Sequence, residues 1–330
     1  MSTPTASPSR PFPRLLADVG GTNARFAWQA SAGAPITDVR VLPCAEHPTL
    51  QAAMHAYLDG LGQGRPQAAA IAIANPITGD EVRMTNHHWA FSQSAVKAEF
   101  GLQNLQLLND FTALALALPV LPADELRQVG GGAAVADAPI ALLGAGTGLG
   151  VSGLLPDRRG GWLPINGEGG HVTLPAVSAR ERLVMDGLIQ RYGRASAERL
   201  LCGQGLVDAC AILCAADGVP ERALAHAAEV TEAALAGGLP QAVEALTHFC
   251  ALLGSVAGNL ALTLGARGGV YIGGGIVPRL GDWFERSSFR TRFEAKGRFS
   301  AYLQAIPVWV ITSAQSPALI GAARALDADH

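Results

Sequence analysis

Lysine is nearly absent from this chain: only Lys97 and Lys296 occur in 330 residues, although lysine and arginine together number 24. A P-loop nucleotide site needs a lysine that follows a glycine and precedes a serine or threonine, and neither lysine stands in that context. A dinucleotide fingerprint is missing too, because in the glycine-rich run 144–150 the position that must be small is taken by Leu149 or Val151. The two commonest nucleotide motifs are therefore excluded, and a hydride-transfer enzyme is disfavoured.

Excess positive charge and cysteine pairs are also lacking. The 24 basic residues face 27 acidic ones, which leaves a net charge of -3 and no broad field that favours a nucleic acid or an anionic membrane. The five cysteines are odd in number, and the nearest two, Cys210 and Cys214, have no companion pair at zinc or redox spacing. We therefore expect a cytoplasmic protein whose partners are small neutral or modestly anionic molecules.

Long hydrophobic stretches are limited to one charge-free run, residues 249–266, whose length suits a membrane span. Polar side chains recur every four residues along one face of this run, at Ser255, Asn259 and Thr263. This polar seam favours a buried helix of a soluble domain, in which Gly254 and Gly258 let a neighbouring backbone approach.

Two segments repeat one pattern of strand, glycine turn and second strand. Residues 14–28 contain the turn Asp18–Thr22, and residues 140–155 contain the turn Gly144–Gly150. The repetition predicts a duplicated architecture. Further strands are predicted at 68–74, 105–108, 269–272 and 308–312, and helices at 49–60, 111–118, 180–191, 220–236, 241–263 and 318–328. Alternating strands and helices indicate α/β layers, with more helix in the second half.

Three glycine turns each follow a predicted strand: Asp18–Thr22, Gly144–Gly150 and Gly273–Gly275. Glycine lets backbone amides turn towards an anion without an intervening side chain, as a polyphosphate requires. Any one of these turns alone is better explained as a tight hairpin that requires a positive φ. Taken together, with the hydroxyls of Thr22 and Thr147 and a carboxylate at the start of the first turn for a magnesium shell, they favour a bound nucleotide.

Asn109 and Asp110 lie between a predicted strand and a predicted helix. Either side chain would serve to cap the orphan amides at the start of that helix. A carboxylate fixed at the carboxyl end of a strand is also placed to take the proton of a hydroxyl nucleophile, and the two roles are compatible.

An acid and an imidazole, Glu168 and His171, lie three residues apart in the glycine-rich segment 165–171, which we expect to be a flexible loop. Such groups suit hydrogen bonding to sugar hydroxyls. The alternatives are a solvated surface turn and a zinc pair. His171 has no partner at ligand spacing, and the adjacent His87 and His88 would point differently, so a metal site is disfavoured.

With these residues in hand, the chain resembles the bacterial glucokinase family of the actin-like ATPase superfamily, which also contains hexokinases and heat-shock chaperones. The resemblance is carried by seven motifs in order: LLADVGGTNARFA (15–27), AIANPITGDEVRMTNHHWAFS (72–92), LLNDFTALALA (107–117), GAGTGLGV (144–151), NGEGGHV (166–172), SAERLL (196–201) and GGVYIGGGIVPR (268–279). Ala17 departs from the family, in which a glycine is usual. Segment 175–182 lacks the cysteines of the zinc motif found in related repressors and sugar kinases, so the resemblance is to the zinc-free members.

The resemblance implies roles for individual residues. Asp110 is expected to be the general base that receives the proton of the hexose 6-hydroxyl. The ring hydroxyls are expected to be held by Asn109, Asp110, Glu168, His171 and Glu198, of which Glu198 is not selected by sequence spacing. ATP is expected at Ala17, Asp18, Val19, Gly20, Gly21, Thr22, Thr147 and Gly148 for its phosphates and at Gly273, Gly274 and Gly275 for its adenosine end. Mg²⁺ is expected with the nucleotide, with no protein-fixed metal site beyond Asp18 acting through water.

The implied fold is the two-domain actin-like ATPase fold of the ribonuclease H-like α/β class, with a cleft between a small α/β domain and a larger, helix-rich α+β domain. We expect the small domain to comprise residues 14–120 and 312–330, and the large domain residues 121–311. The proline-rich residues 1–13 contain no apolar signal-peptide core and are expected to form a disordered leader. The resemblance also implies a homodimer.

The implied activity is ATP-dependent phosphorylation of D-glucose at its 6-hydroxyl, which yields glucose 6-phosphate and ADP and feeds glycolysis. Residue types alone leave a kinase for another hexose open. The other alternative is a catalytically weak sugar-sensing regulator on the same scaffold, although residues 1–13 are too short for the helix-turn-helix that reads DNA in such proteins.

Overall fold

The computed structural model describes residues 10–220 and 224–328. Within them the chain divides into two compact units. The first contains the described residues up to Leu121 together with those from Ser313 onward, and the second is Pro122–Thr312. The boundaries expected from the sequence, 120/121 and 311/312, each lie one residue from these positions.

The first unit is built on a five-stranded sheet with strand order β3-β2-β1-β4-β7. Its elements are β1 (Arg14–Val19), β2 (Asn23–Gln29), β3 (Thr37–Pro43), α1 (Leu50–Leu61), β4 (Ala68–Ile73), the separate hairpin β5 (Glu81–Arg83) and β6 (Ala90–Ser92), α2 (Gln93–Glu99), β7 (Asn104–Asn109), α3 (Asp110–Ala117) and the last helix of the chain, α12 (Ala318–Ala325). β3, β2 and β1 run antiparallel, whereas β1, β4 and β7 run parallel. The parallel register places Val19, Ile73 and Asn109 side by side, so the carboxyl ends of three strands meet at one edge.

The second unit contains a six-stranded sheet with strand order β11-β10-β9-β12-β13-β8. Its elements are β8 (Leu126–Gln128), β9 (Ile140–Ala145), β10 (Leu149–Pro156), β11 (Trp162–Asn166), α4 (Ala179–Tyr192), α5 (Ala197–Leu200), α6 (Gly203–Ala216), α7 (Ala227–Leu235), α8 (Pro240–Leu264), β12 (Gly269–Gly273), α9 (Asp282–Arg286), α10 (Phe289–Glu294), α11 (Ser300–Gln304) and β13 (Val308–Ile311). Three antiparallel strands again precede two parallel ones. The predicted duplication is confirmed, because β9 to β13 repeat the connectivity of β1 to β4 and β7.

Apolar side chains pack on both faces of the first sheet, which explains why β4 is apolar throughout. Leu15 and Val19 of β1 pack with residues of α1 on one face, whereas Leu16 packs with residues of α12 on the other. β4, with the sequence AAAIAI, is wholly buried. The small side chains of this layer allow close helix contacts, and Gly321 of α12 lies directly against the Ala113 carbonyl of α3.

α8 is the one helix in the described parts of the chain that is long and apolar enough to cross a membrane. Most of its apolar window is buried inside the second unit, where α8 packs against α6, α7 and α10. Cβ atoms at Gly254 and Gly258 would lie 2.1 and 2.5 Å from the carbonyl oxygens of Phe289 and Phe293 in α10. The prediction of a core helix whose glycines admit a neighbouring backbone is confirmed.

The polar seam of α8 contacts one of the two lysines. The carbonyl oxygen of Ser255 accepts from Lys296 Nζ at 2.9 Å, and Asn259 Oδ1 accepts from the same ammonium at 2.7 Å. Partial burial lowers the pKa of Lys296. This lysine therefore binds the segment after α10 to the core helix.

One predicted helix starts later than expected, and α2, α5, α6, α9, α10 and α11 are not predicted from the sequence. The helix expected over 220–236 starts only at Ala227, because the carboxylate of Glu229 accepts the backbone N–H of His226 at 3.1 Å and so caps the helix there. Residues 221–223 lie outside the described parts. α6 is not anticipated from the sequence, because its first turn contains two glycines and its cap is the Sγ of Cys202 rather than a hydroxyl.

Residues 10–13 belong to the first unit rather than to a disordered leader. The carbonyl oxygen of Pro13 accepts from Gln67 N at 2.8 Å, and that of Pro11 accepts from Arg14 Nε at 3.3 Å. Arg14 is itself fully buried and donates to Asp327 Oδ1 at 2.9 Å. The rest of the expected leader, residues 1–9, lies outside the described residues.

The contact between α3 and α12 predicts a specific loss of stability. A Cβ at Gly321 would lie 1.6 Å from the carbonyl oxygen of Ala113, so Gly321→Ala must displace one of the two helices. We expect the free energy of unfolding to fall by about 1–3 kcal/mol, as other overpacking changes cause, measured by urea denaturation. Gly79→Ala is the matched control, because nothing lies within 4 Å of its added Cβ. Equal midpoints for the two variants would contradict this packing.

Candidate active site

The first glycine turn lies at the carboxyl edge of the first sheet. It is shorter than predicted and consists of Gly20, Gly21 and Thr22, because Asp18 and Val19 are still paired in β1. Gly20 N donates to Asn23 O at 2.9 Å, and Cys44 N donates to Thr22 O at 2.8 Å. The side chains of Ala17 and Val19, both expected near ATP, belong to the buried core, so they can only place the turn that follows them.

Asp18 is the only acidic residue in β1 and in the turn that follows it. It lies opposite Arg25 across the β1–β2 pair, with Arg25 Nη1 3.4 Å from Asp18 Oδ2, and its side chain is 14% exposed. Carboxylate and phosphate oxygens are hard ligands that suit Mg²⁺, which keeps several of its waters. The donor set therefore fits a magnesium ion held through water and nucleotide oxygens. The described residues contain no cluster of three or more His, Cys, Asp or Glu side chains able to hold a metal directly.

Asn109 and Asp110 form the junction of β7 and α3. Asn109 Oδ1 accepts from Phe111 N at 2.9 Å and from Thr112 N at 3.3 Å, so the cap predicted for this helix is present. Asp110 Oδ1 also accepts from Phe111 N, at 2.9 Å. Both side chains are thus fixed by the start of α3, at the sheet edge that bears the first glycine turn, and the Asn109 amide group keeps its N–H donors for another partner.

A segment that contains none of the predicted site residues packs on the first glycine turn. A Cβ at Gly21 would lie 2.9 Å from the carbonyl oxygen of Asn86, so this position requires glycine. The neighbouring Thr85 is held by Asn75, whose Oδ1 accepts from Thr85 N at 3.1 Å and from Thr85 Oγ1 at 2.6 Å. Asn75 follows β4 at the same edge, and its only signal in the sequence is the proline after it, which marks the end of a strand.

In the second unit the turn between β9 and β10 is likewise shorter than predicted. Gly144 and Gly150 are paired with each other inside the two strands, which leaves Gly146, Thr147 and Gly148 as the turn. Gly146 N donates to Gly148 O at 2.8 Å. Thr147 is exposed at its tip.

The third glycine turn, Gly273–Gly275, lies against this one. Gly144 pairs with Gly273 in parallel, and a Cβ at Gly144 would lie 2.5 Å from the Gly273 carbonyl carbon. Gly274 has a φ of +79°, and its added Cβ would lie 2.3 Å from the carbonyl oxygen of Ala145. The two turns assigned to the phosphates and to the adenosine end of ATP are therefore adjacent within one unit, and glycine is needed at their contact.

The segment with Glu168 and His171 is more ordered than the flexible loop we expected. Residues Gly169–His171 form a short 3₁₀ helix after β11, and the side chain of Glu168 is exposed. A Cβ at Gly170 would lie 2.1 Å from the carbonyl oxygen of Leu149, so the segment rests on the first residue of β10. Two of the three glycines of this motif, Gly169 and Gly170, serve close packing.

Glu198 is brought to the same place by an isolated antiparallel bridge between Thr173 and Ser196. The bridge brings the start of α5 next to the 3₁₀ helix, and Glu198 Oε1 lies 4.0 Å from His171 Nδ1. Glu198 Oε2 accepts from Leu149 N at 2.9 Å. Sequence spacing cannot select this acid, because the bridge joins segments that are far apart in the chain.

α6 contributes to the second turn although the sequence does not predict this helix. Gly203 N, at its start, donates to Gly146 O at 2.9 Å. The preceding Cys202 caps the helix through Sγ, and burial raises the pKa of its thiol, so it remains protonated near neutral pH. The structure thus groups Thr147, Gly148, Glu168, His171, Glu198 and Gly273–Gly275 in the second unit, and Asp18–Thr22, Asn109 and Asp110 in the first.

Comparison with known proteins connects this arrangement to one family. A family model described as Glucokinase matches residues 15–329. The chain belongs to the glucokinase family. The glucokinase of Chromobacterium violaceum is 57% identical over 319 residues, which cover 97% of this chain and 90% of the relative. The glucokinase of Aromatoleum aromaticum is 55% identical over 96% of this chain and 95% of its own.

Solved glucokinase structures share the fold. A glucokinase from an Antarctic psychrotroph has a TM-score of 0.86 at 35% identity, over 96% of this chain and 98% of its own. A ROK-family glucokinase from Streptomyces griseus, solved with glucose and AMPPNP, has a TM-score of 0.60 at 20% identity, over 95% of this chain and 99% of its own. These likenesses confirm the resemblance to glucokinases and the actin-like ATPase fold predicted from the sequence.

The cap at Asn109 predicts an effect on stability that is separate from any effect on a ligand. Asn109→Ala removes the acceptor of the Phe111 and Thr112 amides and is expected to lower the free energy of unfolding by about 1 kcal/mol. Asn109→Asp keeps an oxygen at the cap, so its free energy of unfolding should fall much less. Thermal denaturation of the two variants measures the difference. If Asn109→Asp unfolds as early as Asn109→Ala, the side chain does not stabilise α3 in this way.

Proposed function

We propose that this member of the glucokinase family transfers the γ-phosphoryl group of ATP to the 6-hydroxyl of D-glucose, which gives glucose 6-phosphate and ADP. The observation that carries the proposal is the position of Asp110. It is the first residue of α3 at the carboxyl end of β7, on the edge where β1 ends in its glycine turn. A base and a phosphate-sized turn thus share one edge of one sheet, and relatives named glucokinase match nearly the whole chain.

Asp110 is the general base in this proposal. Phosphoryl transfer offers little covalent chemistry for a protein to perform, so acceleration comes from alignment, charge stabilisation and exclusion of water. The carboxylate orients the 6-hydroxyl and accepts its proton as the bond from oxygen to phosphorus forms. Because Asp110 Oδ1 accepts a hydrogen bond from Phe111 N, the carboxylate is already held at the start of α3 when no sugar is bound.

The ring hydroxyls are assigned to Asn109, Glu168, His171 and Glu198. Asn109 offers its amide N–H groups, since its oxygen already caps α3. His171 and Glu198 lie close to each other beside the Thr173–Ser196 bridge and together present an imidazole and a carboxylate. Such groups discriminate between sugars, because a missing hydroxyl leaves a polar partner without its hydrogen bond.

ATP is assigned to the glycine turns Gly20–Thr22, Thr147–Gly148 and Gly273–Gly275, which offer backbone amides without side chains in the way. Mg²⁺ would be held by Asp18 through water together with the phosphate oxygens. When bound, it would neutralise charge that develops on the transferred group. Arg25, next to Asp18, keeps that carboxylate in place.

Three further features of the protein complete the proposal. We infer that the enzyme acts in the cytoplasm, where it supplies glucose 6-phosphate to glycolysis, and that it forms a homodimer. α8 supports a soluble protein, because it is buried among the helices of its own unit. Its partners in this proposal are the small molecules glucose and ATP.

Replacing the base should remove turnover without removing the sugar. Asp110→Asn keeps an oxygen for the Phe111 amide but cannot accept the proton, so kcat is expected to fall by roughly 10²-fold or more. Glucose binding, measured by isothermal titration, should change little by comparison. Asp59→Asn replaces an exposed acid of α1 and is the matched control. Turnover of Asp110→Asn near that of the control would remove Asp110 from this role.

A coupled assay across hexoses tests the function as a whole. With ATP and magnesium we expect glucose to have a higher kcat/KM than mannose, fructose and 2-deoxyglucose, because relatives named glucokinase match nearly the whole chain and a sugar that lacks a bonded hydroxyl leaves a polar side chain unpaired. A higher value for another hexose would make the protein a kinase for that sugar. Sugar binding without ADP release would indicate a sugar-sensing protein.

A further inference from the structure

The Glu198 carboxylate has a different partner at each oxygen. Oε2 accepts the backbone N–H of Leu149 at 2.9 Å, and Oε1 lies 4.0 Å from His171 Nδ1. Leu149 is the residue at which the turn Gly146–Gly148 re-enters the sheet. One side chain is therefore hydrogen-bonded to the end of the turn assigned to the nucleotide phosphates and lies next to the segment assigned to the sugar.

The turn itself is held by a small set of contacts. Gly146 N donates to Gly148 O at 2.8 Å, and Gly146 O accepts from Gly203 N of α6 at 2.9 Å. Glu198 adds a carboxylate acceptor to these neutral contacts, and hydrogen bonds to ionised groups are about twice as strong as neutral ones. The contact is also tight, because a Cβ at Gly148 would lie 2.5 Å from Glu198 Oε2.

We propose that Glu198 is a positioning residue for the nucleotide-binding turn as well as a sugar ligand, so that one carboxylate joins the two substrate sites of the second unit. The inference rests on the proposed function, because it takes the turn Gly146–Gly148 to bind ATP phosphates. Gly203 N fixes the turn at Gly146, and Glu198 fixes it at its exit. A turn ordered in this way loses less conformational freedom when it binds phosphate, which increases affinity.

The shared carboxylate has a thermodynamic consequence. A sugar hydroxyl that bonds to Glu198 restricts the side chain whose other oxygen holds Leu149, so sugar binding further orders the turn. By linkage, whatever sugar binding contributes to nucleotide affinity, nucleotide binding contributes equally to sugar affinity. Residues that contact the sugar alone lack this effect on the turn.

Nucleotide binding in the absence of sugar separates the two roles of Glu198. The probe is ADP with magnesium, titrated calorimetrically into the full-length protein. Glu198→Leu keeps the approximate size of the side chain but has no acceptor for Leu149 N, and we expect it to weaken ADP binding about tenfold, as loss of a hydrogen bond to a charged group does. Glu198→Gln keeps a carbonyl oxygen for that amide and should stay within about threefold of the wild type.

The matched control is His171→Ala. This change removes a sugar-binding group next to Glu198 but leaves the bond to Leu149 intact, so ADP affinity without sugar should equal that of the wild type. Glucose affinity, in contrast, should fall in His171→Ala, Glu198→Gln and Glu198→Leu alike. Glu198→Gln is therefore expected to lose sugar affinity while it keeps nucleotide affinity, a separation that general unfolding does not produce.

ADP affinity of Glu198→Leu equal to that of the wild type would overturn the positioning role, and so would equal weakening in His171→Ala. Either result leaves the kinase proposal standing, because that proposal is tested by turnover of Asp110→Asn and by the hexose assay. A wild-type protein that binds ADP and glucose without phosphoryl transfer would defeat the kinase proposal, yet the ADP titrations would still decide the role of Glu198. Thermal denaturation of each variant identifies loss of fold, and if Glu198→Leu is unfolded, Glu198→Ala, which also removes the acceptor for Leu149 N, takes its place in the same titration with the same expected loss.

Discussion

Parallel strand pairing is the constraint on which the chemistry of each unit depends. The register of β1, β4 and β7 aligns Val19, Ile73 and Asn109, so the segments after these three strands emerge at one edge. In chain order, those segments are the glycine turn after β1, Asn75 with its hydrogen bonds to Thr85 after β4, and α3, which starts with Asp110, after β7. The second unit uses the same principle, since the ends of β9 and β12 set two glycine turns side by side. Such edges are where open α/β sheets bind ligands.

Several glycines of the predicted motifs serve close contact between segments. Gly144, Gly148, Gly170 and Gly254 each leave no space for a side chain, because a carbonyl group or a carboxylate lies against the backbone. Gly274 is different in that its positive φ also requires glycine. Gly144, Gly170 and Gly254 thus mark places where two segments of backbone meet.

Local patterns in the sequence were sufficient for the repeated hairpins, the core helix α8 and the Asn109 cap. Each depends on neighbouring residues, as the polar seam at Ser255 and Asn259 illustrates. Such local patterns do not predict three features: the start of α7, the whole of α6, and the place of Glu198 in the site. Glu198 is set by a bridge between Thr173 and Ser196, and α6 begins where Gly203 N donates to Gly146 O of the second turn, so both depend on tertiary contacts. Glu198 was named only through the family resemblance, and the roles of the other site residues remain predictions.

The two lysines differ in chemical accessibility. The Lys296 ammonium is bonded to the core helix, whereas Lys97 is exposed in the last turn of α2. The backbone carbonyl of Lys97 accepts from Leu102, just before β7 begins, so it lies at the opposite end of that strand from Asp110. All five cysteines are buried and free. An amine-reactive dye or a solid support would attach to the Lys97 side chain in preference to that of Lys296. A support attached there would hold the first unit at the end of β7 that lies away from Asp110.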